Sequence, residues 1–205
     1  MLFSIKSIFV EIILKNKLKK KLKEIASIRS GVFLKPRASG QILYLQAKDF
    51  DEDGVLSNEV FPTLESFEVS EKHLLKKGEV LFSAKGYKNF AAVYDNSEFP
   101  AVASTSFLVI SLSVDYIEPR FLAWWLNSPV VQEFLKGIAK GTSIPSITKT
   151  QLQELEVTIF PQDVQDALVR LAELRKKEKM ILADIERLND YKLDLSLIKI
   201  IQRYE

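Results

Sequence analysis

Apolar residues in the middle of the chain fall into short runs that predict β-strands. These runs are rich in aliphatic and aromatic residues, and Gly, Asp and Asn separate them. We predict strands at residues 41–45, 79–83, 91–94, 107–111 and 157–160. Because no helix-length pattern lies between the first four runs, their spacing favours an antiparallel or mixed sheet over a doubly wound parallel one.

The apolar spacing changes to a helical period after residue 118. Pro119 and Pro129 each suit a first helical turn, and apolar residues three and four apart follow both of them. Thr148 with Gln151 three residues later has the pattern of a capping box. The sequence therefore predicts an α/β (α+β) fold, in which helices pack on a mixed, mainly antiparallel sheet.

A long final helix is predicted from Asp163 onwards, since neither Gly nor Pro follows this expected N-cap. A heptad frame has one row of Ala167, Leu174, Ile181, Leu188, Leu195 and Gln202, and another of Val164, Leu171, Glu178, Ile185, Lys192 and Lys199. Some 40 residues of helix reach roughly 60 Å, which exceeds what one domain of this size can cover. The helix therefore needs a partner helix. We expect it from another subunit, the alternative being a local helical hairpin.

The expected pairing positions are the apolar members of the two rows. They are Leu171, Leu174, Ile181, Ile185, Leu188 and Leu195.

The first 25 residues form a basic leader with its own apolar face. They hold seven lysines against Glu11 and Glu24, although the whole chain has a net charge of only +2. Ile5, Ile8, Phe9 and Ile12 share one helical face, and the lysines follow the apolar run, unlike in a signal peptide. We expect an amphipathic helix that packs on protein, with a membrane anchor as the weaker alternative. The expected organisation is then a leader (1–25), a mixed middle domain (26–161) and a long helix for dimerisation and spacing (162–205).

Several kinds of site are disfavoured by the residues present. The chain has no cysteine and a single histidine, His73, and its glycines match no phosphate-binding or dinucleotide-binding loop. Residues 49–54 match the first half of a calcium-binding EF-hand loop, but the twelfth position is Val60 instead of Glu. An acidic hairpin turn with Asp53-Gly54 at its tip explains this segment better. We therefore expect no catalytic residue, no metal and no cofactor, in a cytoplasmic protein.

Three glycine-containing loops combine cations with amide or hydroxyl groups. Such loops can hold phosphates and pair with base edges, although ordinary surface loops also contain Lys and Asn. The candidate DNA-binding residues are Lys35 and Arg37 in the first loop, Lys85, Tyr87, Lys88 and Asn89 in the second, and Lys140, Thr142, Ser143 and Lys149 in the third.

A series of short segments, taken in order, resembles the target-recognition half of type I restriction-modification specificity subunits. One of them is Leu75-Lys76-Lys77-Gly78-Glu79-Val80, in which Glu79 stands where Asp is common. The segments are residues 22–26, 30–31, 44–50, 75–83 with Gly86, 103–104, 121–128 and 141–147, and then Leu152, Leu155, Val157, Ile159, Pro161 and Gln165. The resemblance covers residues 22 to 180. It departs from the family in having one domain and one long helix where the full-length subunit repeats both.

The resemblance implies sequence-specific recognition of double-stranded DNA without catalysis. The expected partners are duplex DNA and methyltransferase subunits, with a restriction subunit as a further candidate, and no membrane. Two copies would pair through residues 163–204 and read a split, symmetric site. Two alternatives stay open: a detached recognition component of another methyltransferase or restriction enzyme, and a coiled-coil adaptor without DNA binding.

Overall fold

The protein folds as helices packed on antiparallel strands, with a long helix at the C-terminal end. The computed structural model describes residues 18–51, 54–57, 59–86, 89–95, 98–139 and 145–202. It divides into two compact units, Met1–Gln165 and Asp166–Glu205. The elements in chain order are β1 (Leu18–Lys21), α1 (Leu22–Ile25), β2 (Ala26–Ser30), β3 (Leu43–Leu45), β4 (Val80–Ser83), β5 (Ala91–Val93), β6 (Ala101–Ala103), β7 (Phe107–Leu112), α2 (Pro119–Leu126), α3 (Pro129–Ile138), α4 (Lys149–Gln153), β8 (Glu156–Ile159) and α5 (Gln162–Ile201).

The main sheet has the order β2-β7-β4-β5, and every neighbouring pair in it is antiparallel. Along β4 and β7, successive side chains point to opposite faces of the sheet. Leu81 and Val109 lie opposite each other in the register and belong to a buried cluster that includes Leu45 and Phe107. Helix α2 packs against β4 and β5. The predicted mixed, mainly antiparallel fold is therefore confirmed.

A parallel pair, β3 with β6, forms a second layer against the main sheet. Leu43 and Leu45 join the cluster shared with the main sheet, whereas Tyr44 and Val102 pack with Ile42 in a second cluster. This alternation buries both faces of the pair. It explains why the strand predicted at 41–45 has no polar positions between its apolar ones.

The predicted helix over residues 1–25 is wrong at its C-terminal end. Leu18–Lys21 is a β-strand that pairs antiparallel with β8, and only Leu22–Ile25 form a helical turn. A cross-strand charge pair between Lys19 and Glu156 favours this pairing, and Lys21 contacts Glu154, which precedes β8. Residues 1–17 lie outside the described residues.

The segment that resembles half of an EF-hand loop is a turn between two short extended stretches. Phe50 and Leu56 form an antiparallel bridge, and the Asp51 backbone N–H donates to the Val55 carbonyl at 2.9 Å. Gly54 has φ = +73°, a conformation that favours glycine. The hairpin turn is confirmed, although Asp53 lies outside the described residues. Within the described part of the chain, no group of three or more potential metal ligands occurs.

Helix boundaries follow the predicted sequence signals closely. Pro119 and Pro129 are the first residues of α2 and α3, and Thr148 caps α4 with the reciprocal Gln151 bonds of a capping box. Helix α5 begins at Gln162, the predicted boundary of the long helix, but Asp163 is a first-turn residue instead of the N-cap. None of the described helices is long and apolar enough to cross a membrane.

Candidate nucleic-acid interface

The turn that connects β4 to β5 carries the exposed Lys85. Its two ends are joined by the Ser83 backbone N–H, which donates to the Phe90 carbonyl at 2.8 Å. The Asn89 side chain closes the turn further, because its Nδ2 donates to the Ser83 carbonyl at 2.8 Å. Gly86 has φ = +115°, which only glycine adopts easily. We call the described residues of this turn, 84–86 with 89 and 90, the Lys85 turn.

A segment from far along the chain holds the Lys85 turn from one side. The Gly86 N–H donates to the Pro145 carbonyl at 3.0 Å, and the Ile147 N–H donates to the Ala84 carbonyl at 2.8 Å. These bonds flank an antiparallel bridge between Lys85 and Ser146. The structure thus brings together two of the three predicted loops.

The third loop contributes Lys149, the first residue of α4, whose side chain is exposed. It follows the bridged Ser146 by three residues and therefore stands near the Lys85 turn. Five further candidates lie outside the described residues: Tyr87, Lys88, Lys140, Thr142 and Ser143.

Asn127 fixes the position of the strand that follows the Lys85 turn. Its Oδ1 accepts from the Ala91 N–H at 2.7 Å, and its Nδ2 donates to the Ala91 carbonyl at 2.8 Å. This pair of bonds imitates a neighbouring strand on the outer edge of β5. The residue ends α2, so this helix supports the turn. Asn127 was not predicted as important, although it lies in a segment that carries the family resemblance.

Lys35 and Arg37 belong to a different segment, which lies along residues 63–68. The Arg37 N–H donates to the Thr63 carbonyl at 2.8 Å, and its guanidinium contacts Glu68 at 2.7 Å and lies 5.8 Å from the centre of the Phe67 ring. The hydrogen bond with Glu68 raises the pKa of Arg37, and the same bond lowers the pKa of Glu68. Because an internal carboxylate already pairs with Arg37, this residue is a weaker phosphate ligand than Lys85. Its DNA contact stays a prediction.

A buried ion pair beside the main sheet escaped prediction from sequence. Both Glu79 carboxylate oxygens accept from the Arg29 guanidinium, the Oε2 bond measuring 2.8 Å, and the Ser111 hydroxyl donates to Oε1 at 2.6 Å. The Lys76 N–H also donates to Oε2 at 2.9 Å. Burial alone would raise the pKa of Glu79, but these hydrogen bonds outweigh it and lower the pKa below its ordinary value. The signal in the sequence was the acidic residue after Gly78 in the family-like segment.

Two lysines converge on Glu154, the residue that follows α4. Lys21 Nζ and Lys23 Nζ lie 2.6 Å and 2.5 Å from its two carboxylate oxygens. Hydrogen bonds from both lysines lower the pKa of Glu154 to about 2. Part of the basic tract at residues 15–23 therefore pairs within the domain.

Gln165 ties the first turn of α5 to the first unit. It is fully buried; its Nε2 donates to the carbonyls of Tyr116 and Phe160 at 2.8 Å each, and its Oε1 accepts from the Glu118 N–H at 3.0 Å. Both the oxygen and the nitrogen of the Gln165 amide thus have hydrogen-bond partners, as a buried polar group requires.

The six predicted pairing positions on α5, which we call the exposed apolar row, are not covered by other residues of the second unit. The six positions Leu171, Leu174, Ile181, Ile185, Leu188 and Leu195 are between 40% and 65% exposed. Contiguous exposed apolar residues of this kind are typical of an interaction surface.

The family described as "Type I restriction modification DNA specificity domain" matches residues 15–187. This chain belongs to that family. The match includes β1, all of the main sheet and the first part of α5, so it covers the Lys85 turn and four of the six exposed apolar positions, Leu171 to Ile185. No curated protein gives a significant match.

Solved structures confirm the fold of the specificity domain. The S subunit from M. genitalium is 19% identical with a TM-score of 0.56 over 82% of this chain and 41% of its own length. A second solved structure concerns complex assembly and conformational transition of the type I R-M system. Its matching chain is 16% identical with a TM-score of 0.60, and the match covers 81% of this chain and 40% of that one. The HsdS subunit from Thermoanaerobacter tengcongensis is 15% identical, with a TM-score of 0.54 over 79% and 38%. This chain therefore spans about two-fifths of the length of each.

Proposed function

We propose that this chain recognises a specific sequence in double-stranded DNA and has no catalytic activity of its own. The observation that carries the proposal is the joining of the Lys85 turn to residues 145–147 by backbone hydrogen bonds. A fixed backbone presents Lys85 and Lys149 from one region, where cations can hold phosphates and neighbouring polar groups can reach base edges. The undescribed candidates, Tyr87, Lys88, Lys140, Thr142 and Ser143, follow or precede this same region in sequence.

The assembly we propose is a dimer formed by α5. Two copies pair along the exposed apolar row, so each presents one recognition domain. Because a twofold dimer has identical reading surfaces, its target is a split, palindromic site. Within a type I system, the dimer directs cytoplasmic methyltransferase subunits, and a restriction subunit, to that site.

Selection from random duplexes tests the recognition. We expect gel-shift selection with the full chain to return a bipartite palindrome, bound more weakly as salt rises because cations on the protein displace counterions from phosphate. Lys85→Gln plus Lys149→Gln is expected to lower affinity for the selected duplex by roughly 10- to 50-fold at low salt.

The matched control is Lys48→Gln plus Lys179→Gln, which removes two exposed lysines that belong to none of the three predicted loops and is expected to bind like the wild type. Recovery of a single asymmetric half-site would contradict the dimer. Absence of duplex binding by the wild type, even at low salt, would instead favour the coiled-coil adaptor.

A further inference from the structure

A second basic surface lies at the opposite end of β4 from the Lys85 turn. It is a groove of about 900 Å³ between the main sheet and the segment that precedes β4. Its floor includes Ser27 and Ser111, and its rim carries Lys72, Lys76 and Lys77. We call it the lysine groove. None of the candidate residues predicted from sequence belongs to it.

The turn that presents two of these lysines is held in place by buried groups. The Glu79 N–H donates to the Lys76 carbonyl at 3.0 Å, while the Glu79 carboxylate accepts from the Lys76 N–H at 2.9 Å. Arg29 and Ser111 hold that carboxylate from the sheet. At Gly78 the backbone has φ = +86°, and its N–H donates to the Tyr94 carbonyl at 2.9 Å. The backbone of the turn is thus ordered before any ligand binds, which lowers the entropic cost of binding.

The lysine groove has an excess of positive charge that nothing in the described part of the domain neutralises. Glu79 and Arg29 neutralise each other, so the groove's remaining charges are the three lysines and Glu71. All three lysines are exposed, and none has an ion-pair or side-chain hydrogen-bond partner among the described residues.

The chemistry of the lining fits a nucleic-acid backbone better than a protein surface. Protein interfaces rely on apolar and aromatic anchors at their centre. The groove's apolar lining residues, Leu74, Leu112 and Pro119, are partly buried, and none of the described residues that line it is aromatic. Phosphodiester groups bind flexible cations of the kind that the groove offers, and Ser27 adds one hydroxyl, whereas the Ser111 hydroxyl already donates to Glu79.

We propose that the lysine groove binds the phosphodiester backbone of duplex DNA, as a contact separate from the Lys85 turn. This inference rests on the proposed function, since it adds a second contact to the same DNA. Strand β4 separates the two regions by four residues, or about 13 Å at 3.3 Å per residue. A duplex gains about 3.4 Å per base pair, so one short duplex is long enough to reach both. The groove then contributes affinity and orientation, while the Lys85 turn contributes sequence preference.

The test compares binding of the full-length chain to two duplexes, one with the selected site and one with that site scrambled. For Lys76→Gln plus Lys77→Gln we expect affinity to fall roughly 10- to 50-fold for both duplexes at low salt. The slope of log affinity against log salt should fall by about 2, one for each phosphate that is no longer neutralised. The ratio of affinities between the two duplexes should stay unchanged. Lys76→Arg plus Lys77→Arg keeps the charges and should bind like the wild type.

Each other outcome has a distinct meaning. If the wild type binds but the Gln variant keeps the wild-type affinity and salt slope, the lysine groove does not contact DNA and this inference is overturned. The inference is likewise overturned if the Gln variant binds both duplexes like the wild type and loses only its association with a methyltransferase subunit. If the wild type itself binds neither duplex, the proposed function fails first. An unchanged thermal unfolding midpoint in the Gln variant shows that the fold is intact, and Lys48→Gln plus Lys179→Gln controls for the loss of charge.

Discussion

At the scale of single residues, the buried carboxylate of Glu79 holds together groups from three separate segments of the chain. It satisfies the Arg29 guanidinium, the Ser111 hydroxyl and the Lys76 N–H at once. Removing one member of such a network leaves the others desolvated and without a partner, which costs more than the intact pair contributes. The same residue also orders the turn that carries the rim of the lysine groove. Its loss should therefore be seen first in stability.

We expect Glu79→Gln to lower the free energy of unfolding by about 2–3 kcal/mol, since Arg29 loses its counter-charge but remains 30% exposed and partly hydrated. Urea unfolding measures this, with Glu71→Gln as the exposed control, expected to change stability by less than about 0.5 kcal/mol. Equal effects of the two variants would show that the buried network is energetically unimportant.

The pH dependence of stability follows from the lowered pKa of Glu79. A carboxyl whose pKa is lower in the folded state stabilises the fold fully above its ordinary value of 4.5. That stabilisation is lost as the pH falls through the lowered folded value. The difference in stability between the wild type and Glu79→Gln should accordingly shrink as the pH is reduced below about 4.5.

At the scale of elements, the strands buried on both faces were the easiest to predict. Residues 80–82 and 107–110 are continuous apolar runs, and both lie in strands of the main sheet. Strand β2 was missed, because its Ala26 and Ile28 alternate with polar residues over only five positions. Strand β6 has only three residues, Ala101–Ala103, which is too short a run to show a period. Strand β1 was mistaken for helix because its pairing with β8 depends on partners more than 130 positions away.

The candidate site shows the same limit. Single loops with Lys and Asn were visible in the sequence, but the bridge between Lys85 and Ser146 was not, since it joins positions 61 residues apart. Likewise, nothing local reveals that Glu68 pairs with Arg37 or that Asn89 is used to close its own turn. Residue type therefore predicts what a loop could bind. Tertiary contacts decide which side chains are left to bind it.

Helix α5 leaves more large apolar side chains exposed than any other described element. An exposed helix without tertiary packing is only marginally stable, so we expect pairing to stabilise it. Ile181→Glu should raise the dimer dissociation constant by roughly 30-fold or more, because an unpaired carboxylate in the pairing row costs about 2 kcal/mol. Light scattering with size-exclusion chromatography measures the change.

The neighbouring Met180 gives a matched control for the pairing row. It is 61% exposed, compared with 49% for Ile181, but it lies outside both heptad rows. We expect Met180→Glu to leave the dimer intact. A dimer that tolerates Ile181→Glu, or a wild type that is monomeric at all concentrations, would contradict pairing through this row.

At the scale of the whole molecule, charge in the second heptad row favours an antiparallel arrangement of the proposed dimer. In a parallel, in-register pair, Glu178, Lys192 and Lys199 would each face their own copy, and like charges in a seam oppose association. In an antiparallel pair these three residues instead face the first heptad row, which contains Leu174, Ile181 and Leu188. The register that overlaps the full seam then sets Ile181 opposite Ile185 of the second copy, and Ala167 opposite Lys199. The first turns of the two helices lie roughly 60 Å apart, at opposite ends of the pair.

Engineered cysteines distinguish the two orientations, because the chain contains no cysteine of its own. We expect Ala167→Cys alone to form no disulfide-linked dimer under mild oxidation, since its copies lie at opposite ends. A mixture of Ala167→Cys with Lys199→Cys should form the mixed dimer, because those two positions face each other and a disulfide requires Cα atoms within about 7 Å. Efficient oxidation of Ala167→Cys by itself would establish a parallel pair. Two recognition domains would then lie at the same end of the pair, and the expected target would be two adjacent half-sites instead of a widely split palindrome.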